Sequence, residues 1–356
     1  MTDPSRNMRD ILESNPIETS APCRIDMGGT LDIKTFYLPL RRLEPLTFNA
    51  AIRLRTTVKL RPHEPGRIKI SSTGFQSAEY SQNAAPFSHP MGLMFAIAAY
   101  FNAGGVHIHI DSSSPPRSAL GGSSAAAVAL VAAFSKLESV LFEKKMELTR
   151  SGAALFAHAL EESVAGVPCG CQDHLAAAYG GVNAWIWKKM PGNSFFEKRA
   201  LLENETLAAF EKNILIAYCG IPHESKDVNG QWIRQFLEGK HRAAWVEIAT
   251  GAKTFADAIE HREIETACQA MNRETALRLE MTPHVLDEMG QTLVSTAMET
   301  GCGAKFTGAG GGGCVWALGE PWDIDRLKKK WNNALSGNAC ILDVGIDSQG
   351  LEYADA

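Results

Sequence analysis

No Gly-x-x-x-x-Gly-Lys-Ser/Thr run occurs anywhere in the 356 residues, which excludes a P-loop phosphotransferase on motif grounds. The 10 histidines form no His-Glu-x-x-His array. Of the 8 cysteines only Cys169 and Cys171 lie close together, without a matching second pair, and that makes a poor zinc site. These thiols read as small buried hydrophobes in a reducing compartment. Residues 1–20 are polar and lack the apolar core of a secretory signal. The longest apolar runs, 93–101 and 125–134, are too short and too alanine-rich to span a bilayer. Basic residues are not in excess either, since 35 Lys and Arg against 40 Asp and Glu give a net charge of −5. That balance argues against a broad nucleic-acid-binding face. The expectation is a cytoplasmic protein with neither nucleic acid nor membrane as partner.

What is present is an ordinary globular composition, 45% hydrophobic and 21% charged, in a chain long enough for two domains. Apolar alternation and turn residues predict strands over 47–52, 56–60 and 67–70, with Pro62, Pro65 and Gly66 as turn chemistry. Helical character follows at 91–101, then a strand at 106–110 on which His107 and His109 form a polar face. Further helices are expected at 125–134, 147–164 and 175–179, and a strand at 183–187. Pro191, Gly192, Asn193 and Ser194 mark a boundary, giving domains 1–194 and 195–356. The second half reads as strands at 214–218, 305–307, 314–318 and 339–344 around helices at 229–237, 243–270 and 283–300. Strands and helices mix in both halves, so the fold class is α+β.

The densest chemical signal is Pro115-Pro116-Arg117-Ser118-Ala119-Leu120-Gly121-Gly122-Ser123-Ser124, which runs straight into an alanine-rich helix former. Unpaired N–H groups, the positive end of a helix dipole and two hydroxyls coincide there, a combination that grips phosphate. Gly121 and Gly122 allow close backbone approach, and Ser123 and Ser124 can reach phosphate oxygens or Mg²⁺. The simpler alternative, that Ser123 or Ser124 only N-caps a buried helix, stays open on these residues alone.

The window resembles the phosphate loop of the galactokinase, homoserine kinase, mevalonate kinase and phosphomevalonate kinase (GHMP kinase) superfamily. Two further segments stand in that family's order. One is Ala21-Pro22-Cys23-Arg24-Ile25-Asp26-Met27-Gly28-Gly29-Thr30-Leu31-Asp32; the other is Gly303-Ala304-Lys305-Phe306-Thr307-Gly308-Ala309-Gly310-Gly311-Gly312-Gly313-Cys314. The resemblance implies a two-domain α+β architecture with the active site in the cleft between the domains. It also implies ATP and Mg²⁺ as cofactors and phosphoryl transfer to a small-molecule hydroxyl. Gly308, Gly310 and Gly313 match Gly-x-Gly-x-x-Gly, but a strand-like segment follows where a dinucleotide fingerprint needs a helix. The run is therefore expected to line the nucleotide phosphates through Gly308, Gly310 and Gly311, opposite Pro116, Leu120, Gly121, Gly122, Ser123 and Ser124.

Phosphoryl transfer needs a hard oxygen ligand for Mg²⁺ and a group that orients or deprotonates the attacking hydroxyl. Glu162 precedes Asp173 by eleven positions, the spacing at which related kinases place metal ligand and catalytic aspartate. The resemblance thus assigns Glu162, with Ser123, to the metal and Asp173 to the hydroxyl. Arg24 occupies the basic position of the first motif, where a guanidinium keeps Asp173 ionised and neutralises the moving phosphoryl group. Asp32 and Gly181 are expected on the substrate side.

The chain departs from the commonest pattern at Ala119, at Gly122, and in lacking the Glu-His pair of galactokinases. Gly28-Gly29-Thr30 and Gln172-Asp173-His174 running to Gly180-Gly181 are more similar to heptose-phosphate and related anomeric sugar kinases. A sugar or sugar phosphate is the expected acceptor. A mevalonate-like acid or polyol, or a catalytically silent ATP- and sugar-binding sensor, are the competing readings.

Overall fold

The first two strands, β1 (Ile17–Met27) and β2 (Leu46–Pro62), show how the chain divides its surfaces. In β2 every side chain from Leu46 to Ile52 is buried, whereas buried and partly exposed positions alternate from Thr56 to Leu60. A strand covered on both faces needs no alternation, and one covered on a single face does. The second cover comes from the other half of the chain: Phe48 stacks on Trp316 at 6.2 Å and meets Phe255 edge-on at 5.0 Å. β1 changes in the same way, alternating to Ser20 and buried throughout from Ala21 to Met27. Arg24 and Asp26 are therefore carried into the interface between the two halves.

The computed structural model describes residues 7–143, 147–166, 168–188, 195–221 and 228–354. The remaining strands are β3 (Arg67–Ser72), β4 (Phe75–Ser81), β5 (Val106–Ser112), β6 (Val182–Trp187), β7 (Phe196–Leu202), β8 (Ile214–Tyr218), β9 (Gly303–Phe306), β10 (Cys314–Leu318), β11 (Cys340–Leu342) and β12 (Glu352–Tyr353). The first sheet runs β12-β1-β2-β5-β3-β4, with β6 pairing the start of β2 and carrying β7. Only β3 and β5 pair in parallel there. The second sheet, β11-β8-β10-β9, is antiparallel throughout. The fold is α+β, as expected.

Two strands of the first sheet lie beyond residue 194. β7 pairs with β6, and β12, near the C-terminus, returns to pair with β1. The stretch 195–356 therefore gives both of its ends to the first sheet, because the edges of β6 and β1 have backbone groups to satisfy. The expected boundary at Pro191–Ser194 itself lies outside the described residues. The helix expected over 243–270 divides into Arg242–His261 and Ile264–Met281, with Arg262 left-handed at φ 62° between them. β4 has no apolar alternation to reveal it, being a mostly exposed edge strand held by its pairing with β3.

The helix Gly122–Leu141 packs its alanines against β1 and β2. Small side chains permit close approach, and the Thr19 hydroxyl donates across the contact to the Ala129 carbonyl at 2.7 Å. Among the described residues it is the one helix long and apolar enough to cross a membrane, yet 72% of its apolar window is buried inside the protein. It serves as a core helix whose N-terminus opens onto the cleft.

Candidate active site

Gly121 sits at the N-cap of that helix with φ +76°, a left-handed conformation that glycine adopts without strain. The first bond of the helix runs from Ala125 N–H to Gly121 O at 2.9 Å, so the N–H groups of Gly122, Ser123 and Ser124 precede the ladder. A Cβ on Gly121 would stand 3.3 Å from Asp173 Oδ2, so the loop is pressed directly onto that carboxylate. Ala119, where the family commonly has glycine, is itself left-handed at φ 59°, a conformation costing about 1–2 kcal/mol for an L-residue. Gly121→Val should weaken ATP binding, because a branched side chain blocks both the backbone approach and the required φ. Calorimetric titration with ATP checks this; parent-like affinity would contradict it.

Arg24 binds Asp173 through two parallel bonds, Nε to Oδ1 at 2.7 Å and Nη2 to Oδ2 at 2.8 Å. Its Nη1 donates to the Ala119 carbonyl at 2.7 Å and lies 3.6 Å from Asp26 Oδ1. Burial works to lower the guanidinium's pKa, but Asp173 and Asp26 outweigh it and hold the group above its ordinary value. Asp26 Oδ1 also accepts from Gly308 N–H at 2.8 Å. The first motif, the phosphate loop and the glycine-rich turn thus meet around one guanidinium. Such a site offers a fixed carboxylate with a compensating cation beside it.

Glu162 is not part of this arrangement. Its side chain is 40% exposed and faces Lys34 at 3.7 Å. The carboxylate aimed at the loop belongs to Glu161, which accepts from the Ser124 hydroxyl at 3.2 Å and lies 2.8 Å from His174 Nε2. Burial pushes Glu161 up, but His174 and Ser124 outweigh it and hold the carboxyl below its usual range. The reason is helical phase. In the helix Arg150–Ala165 the buried stripe is Ala153, Ala154, Ala157 and His158, and the next position on that stripe is 161.

Arg24, Asp173, Glu161 and Ser124 line a cavity of about 560 Å³. Its lining has an apolar part, Phe75, Met91, Met94 and Ile110, and a polar part, Thr30, Asp32, Cys169, Gln172 and Asn229, in which Asp32 bonds Gln172 and Thr30 bonds Asn229. Pro116, Gly121, Gly122, Ser123 and Gly308 also line it. Four other expected residues do not. Leu120 is fully buried, its carbonyl accepting from Arg24 N–H at 2.9 Å. Gly310 and Gly311 turn towards Val285, whose carbonyl accepts from Gly311 N–H at 2.8 Å and would lie 2.4 Å from a Cβ on Gly310. Gly181 ties β2 to the returning C-terminal segment through Ala51 N–H and the Asp347 carbonyl.

Asp32 lines the cavity and accepts from Gln172 N–H at 3.0 Å. A Cβ on Gly170 would stand only 1.7 Å from its Oδ2, so only glycine fits there. Burial, reinforced by Asp173 and Asp26, raises its pKa to about 7. The folded protein then holds this proton to about pH 7 while the unfolded chain releases it near 3.8. Ionisation thus favours unfolding progressively across that window, by on the order of 4 kcal/mol in full. Asp32→Asn should accordingly raise the melting temperature relative to the parent at pH 8, with the difference shrinking towards pH 4. A gap independent of pH would contradict this.

Family models agree with this geometry on both sides of the cleft: GHMP kinases N terminal domain matches residues 89–181, and GHMP kinases C terminal matches residues 255–337. The chain belongs to the GHMP kinase family. It is 26% identical over 297 residues to a mevalonate kinase of Thermococcus sibiricus, covering 76% of this chain and 81% of that one. It is 22% identical over 320 residues to the D-glycero-alpha-D-manno-heptose 7-phosphate kinase of Campylobacter jejuni, covering 86% and 90%. A D-glycero-D-manno-heptose 1-phosphate kinase structure from Bacteriodes thetaiotaomicron superposes with a TM-score of 0.72 at 17% identity, covering 96% of this chain and 99% of that one. Within this GHMP kinase fold, sequence reasoning missed Glu161, Asp26 and Asn229. The stripe spacing carried a signal for Glu161. Nothing local marked the other two.

Proposed function

We propose that this GHMP kinase transfers the γ-phosphate of ATP to a hydroxyl of a sugar or sugar phosphate. The carrying observation is the two-bond Arg24–Asp173 pair at the foot of the phosphate loop, in a cavity lined by both apolar and polar side chains. The apolar part of the lining suits the adenine base, and the N–H groups of 122–124 that precede the helix ladder suit the phosphates. Asp173 accepts the hydrogen bond of the attacking hydroxyl and takes its proton as the new O–P bond forms and the bond to the leaving ADP oxygen breaks. Arg24 holds the Asp173 carboxyl in place through two bonds and offsets charge on the transferring group.

Mg²⁺ fits the donor set. Glu161, kept ionised, and the hydroxyls of Ser123 and Ser124 are hard oxygen donors beside the phosphate N–H groups. Among the described residues no cluster of three or more His, Cys, Asp or Glu forms a protein cage, which suits an ion held partly by nucleotide phosphates. Glu161 and the Ser123 and Ser124 hydroxyls would hold Mg²⁺ there, and the ion would supply neutralisation of phosphate charge.

The polar part of the lining suits an acceptor rich in hydroxyls. Asp32 and Asp173 are both in that lining, and of its two arginines Arg24 is already paired with Asp173 while Arg117 belongs to the loop 115–124. An ADP-release assay over neutral sugars, sugar phosphates, polyols and mevalonate tests this. Turnover with a sugar or sugar phosphate is expected; turnover confined to mevalonate would overturn the acceptor reading.

A further inference from the structure

Six charged side chains alternate in sign from the second half of the protein to Asp173, and of these only Arg24 and Asp173 line the cavity. Arg278, sandwiched between Trp232 and Trp245 at 4.5 and 4.6 Å, donates to Glu274 Oε1 at 3.1 Å. Lys305 Nζ lies 3.9 Å from Glu274 Oε1 and 3.8 Å from Asp26 Oδ2. Asp26 then faces Arg24 at 3.6 Å, and Arg24 holds Asp173. Arg278, Glu274, Lys305 and Asp26 are each at most 1% exposed. Three cations balance three anions, as buried charges require.

Both ends of this chain of charges hold functional backbone. At one end Glu274 Oε2 accepts from Gly28 N–H at 3.1 Å and Arg278 Nη2 donates to Gly29 O at 2.7 Å. That grips the turn carrying Thr30 and Asp32 to the cavity. At the other end Asp26 holds Gly308 N–H and faces Arg24. Lys305 is the joint between them. Its ammonium is too far from either carboxylate for a hydrogen bond and, among the described residues, donates to its neighbour's carbonyl, Phe306 O, at 3.2 Å. Its hold on the two acids is thus electrostatic, through low-dielectric surroundings.

We infer that Lys305 is a positioning residue: without touching substrate, its ammonium joins the two carboxylates and so sets the acceptor turn and the Arg24–Asp173 pair relative to one another. The functional part of this inference rests on the kinase reading above. The coupling itself does not.

The test uses Lys305→Met, Glu274→Gln, Asp26→Asn and the pairs Lys305→Met/Glu274→Gln and Asp26→Asn/Glu274→Gln in the full chain. Thermal unfolding is measured for all, together with kcat and the KM for each substrate. Asp26 and Glu274 both face the Lys305 ammonium, so their combined loss of melting temperature should exceed the sum of the single losses. Lys305→Met/Glu274→Gln restores charge parity and should regain most of the melting temperature lost in Lys305→Met. Its kcat/KM for the acceptor should stay roughly 10- to 100-fold low, with the KM for ATP near the parent value. Additive losses of melting temperature would overturn the coupling. Recovery of acceptor kcat/KM along with stability would reduce Lys305 to a structural residue. A parent protein that phosphorylates no acceptor would refute the kinase reading, while the unfolding cycle still decides the coupling.

Discussion

Asp173→Asn should lower turnover by roughly 10²–10⁴-fold, the range for loss of a general base, while ATP affinity stays close to the parent's. Asparagine fills the same space beside Gly121 and can still accept one bond from Arg24, but it neither takes a proton nor carries charge. Arg24 is 4% exposed and has Asp26 only at 3.6 Å, so removing Asp173's charge leaves a buried cation undercompensated. A moderate loss of stability is therefore part of the expected result, and melting curves separate it from the loss of rate. Rate loss without the ATP-binding loss expected of a damaged loop identifies the chemical step. Parent-like turnover in Asp173→Asn would remove the base from the account.

The adjacent glutamates give the second large effect, and they should behave oppositely. Glu161→Gln should raise the Mg²⁺ concentration needed for half-maximal turnover by roughly 10- to 100-fold, in line with losses of groups that hold a metal site. Glu162→Gln should leave it near the parent value, because Glu162 lies towards solvent against Lys34. Titration of Mg²⁺ at fixed ATP checks both, and Mn²⁺ titration followed by electron paramagnetic resonance reads metal binding without turnover. A large effect at 162 with none at 161 would reverse the assignment.

The contrast between these two glutamates also shows where the sequence was legible. Strands and helices mixed in both halves sufficed to expect the α+β fold, and the family resemblance pointed to Arg24, Asp173 and the loop 115–124, which meet in the structure. Spacing from Asp173 pointed to Glu162, but side-chain direction is set by helical phase, and the stripe through Ala154, Ala157 and His158 continues at Glu161. Gly310 and Gly311 belong to the glycine-rich run, yet their turn folds back on Val285, because one short hairpin cannot present every residue to the same cavity. Asp26 and Lys305 stand inside apolar strand patterns, where a charge reads as an exposed position. Their partners lie far along the chain, Lys305 from Asp26 and Glu274 from both, so no local pattern announces the pairing. The same holds for β7 and β12, whose place in the first sheet depends on edges supplied by β6 and β1.

The most direct measurement of the central claim is phosphorus NMR of the protein incubated with ATP, Mg²⁺ and the acceptor panel, run beside Asp173→Asn. The account predicts a new phosphomonoester resonance on a sugar or sugar phosphate, growing in step with ADP and nearly absent with Asp173→Asn. ATP bound with no phosphomonoester formed on any acceptor, or the same product at the same rate from both proteins, would contradict it.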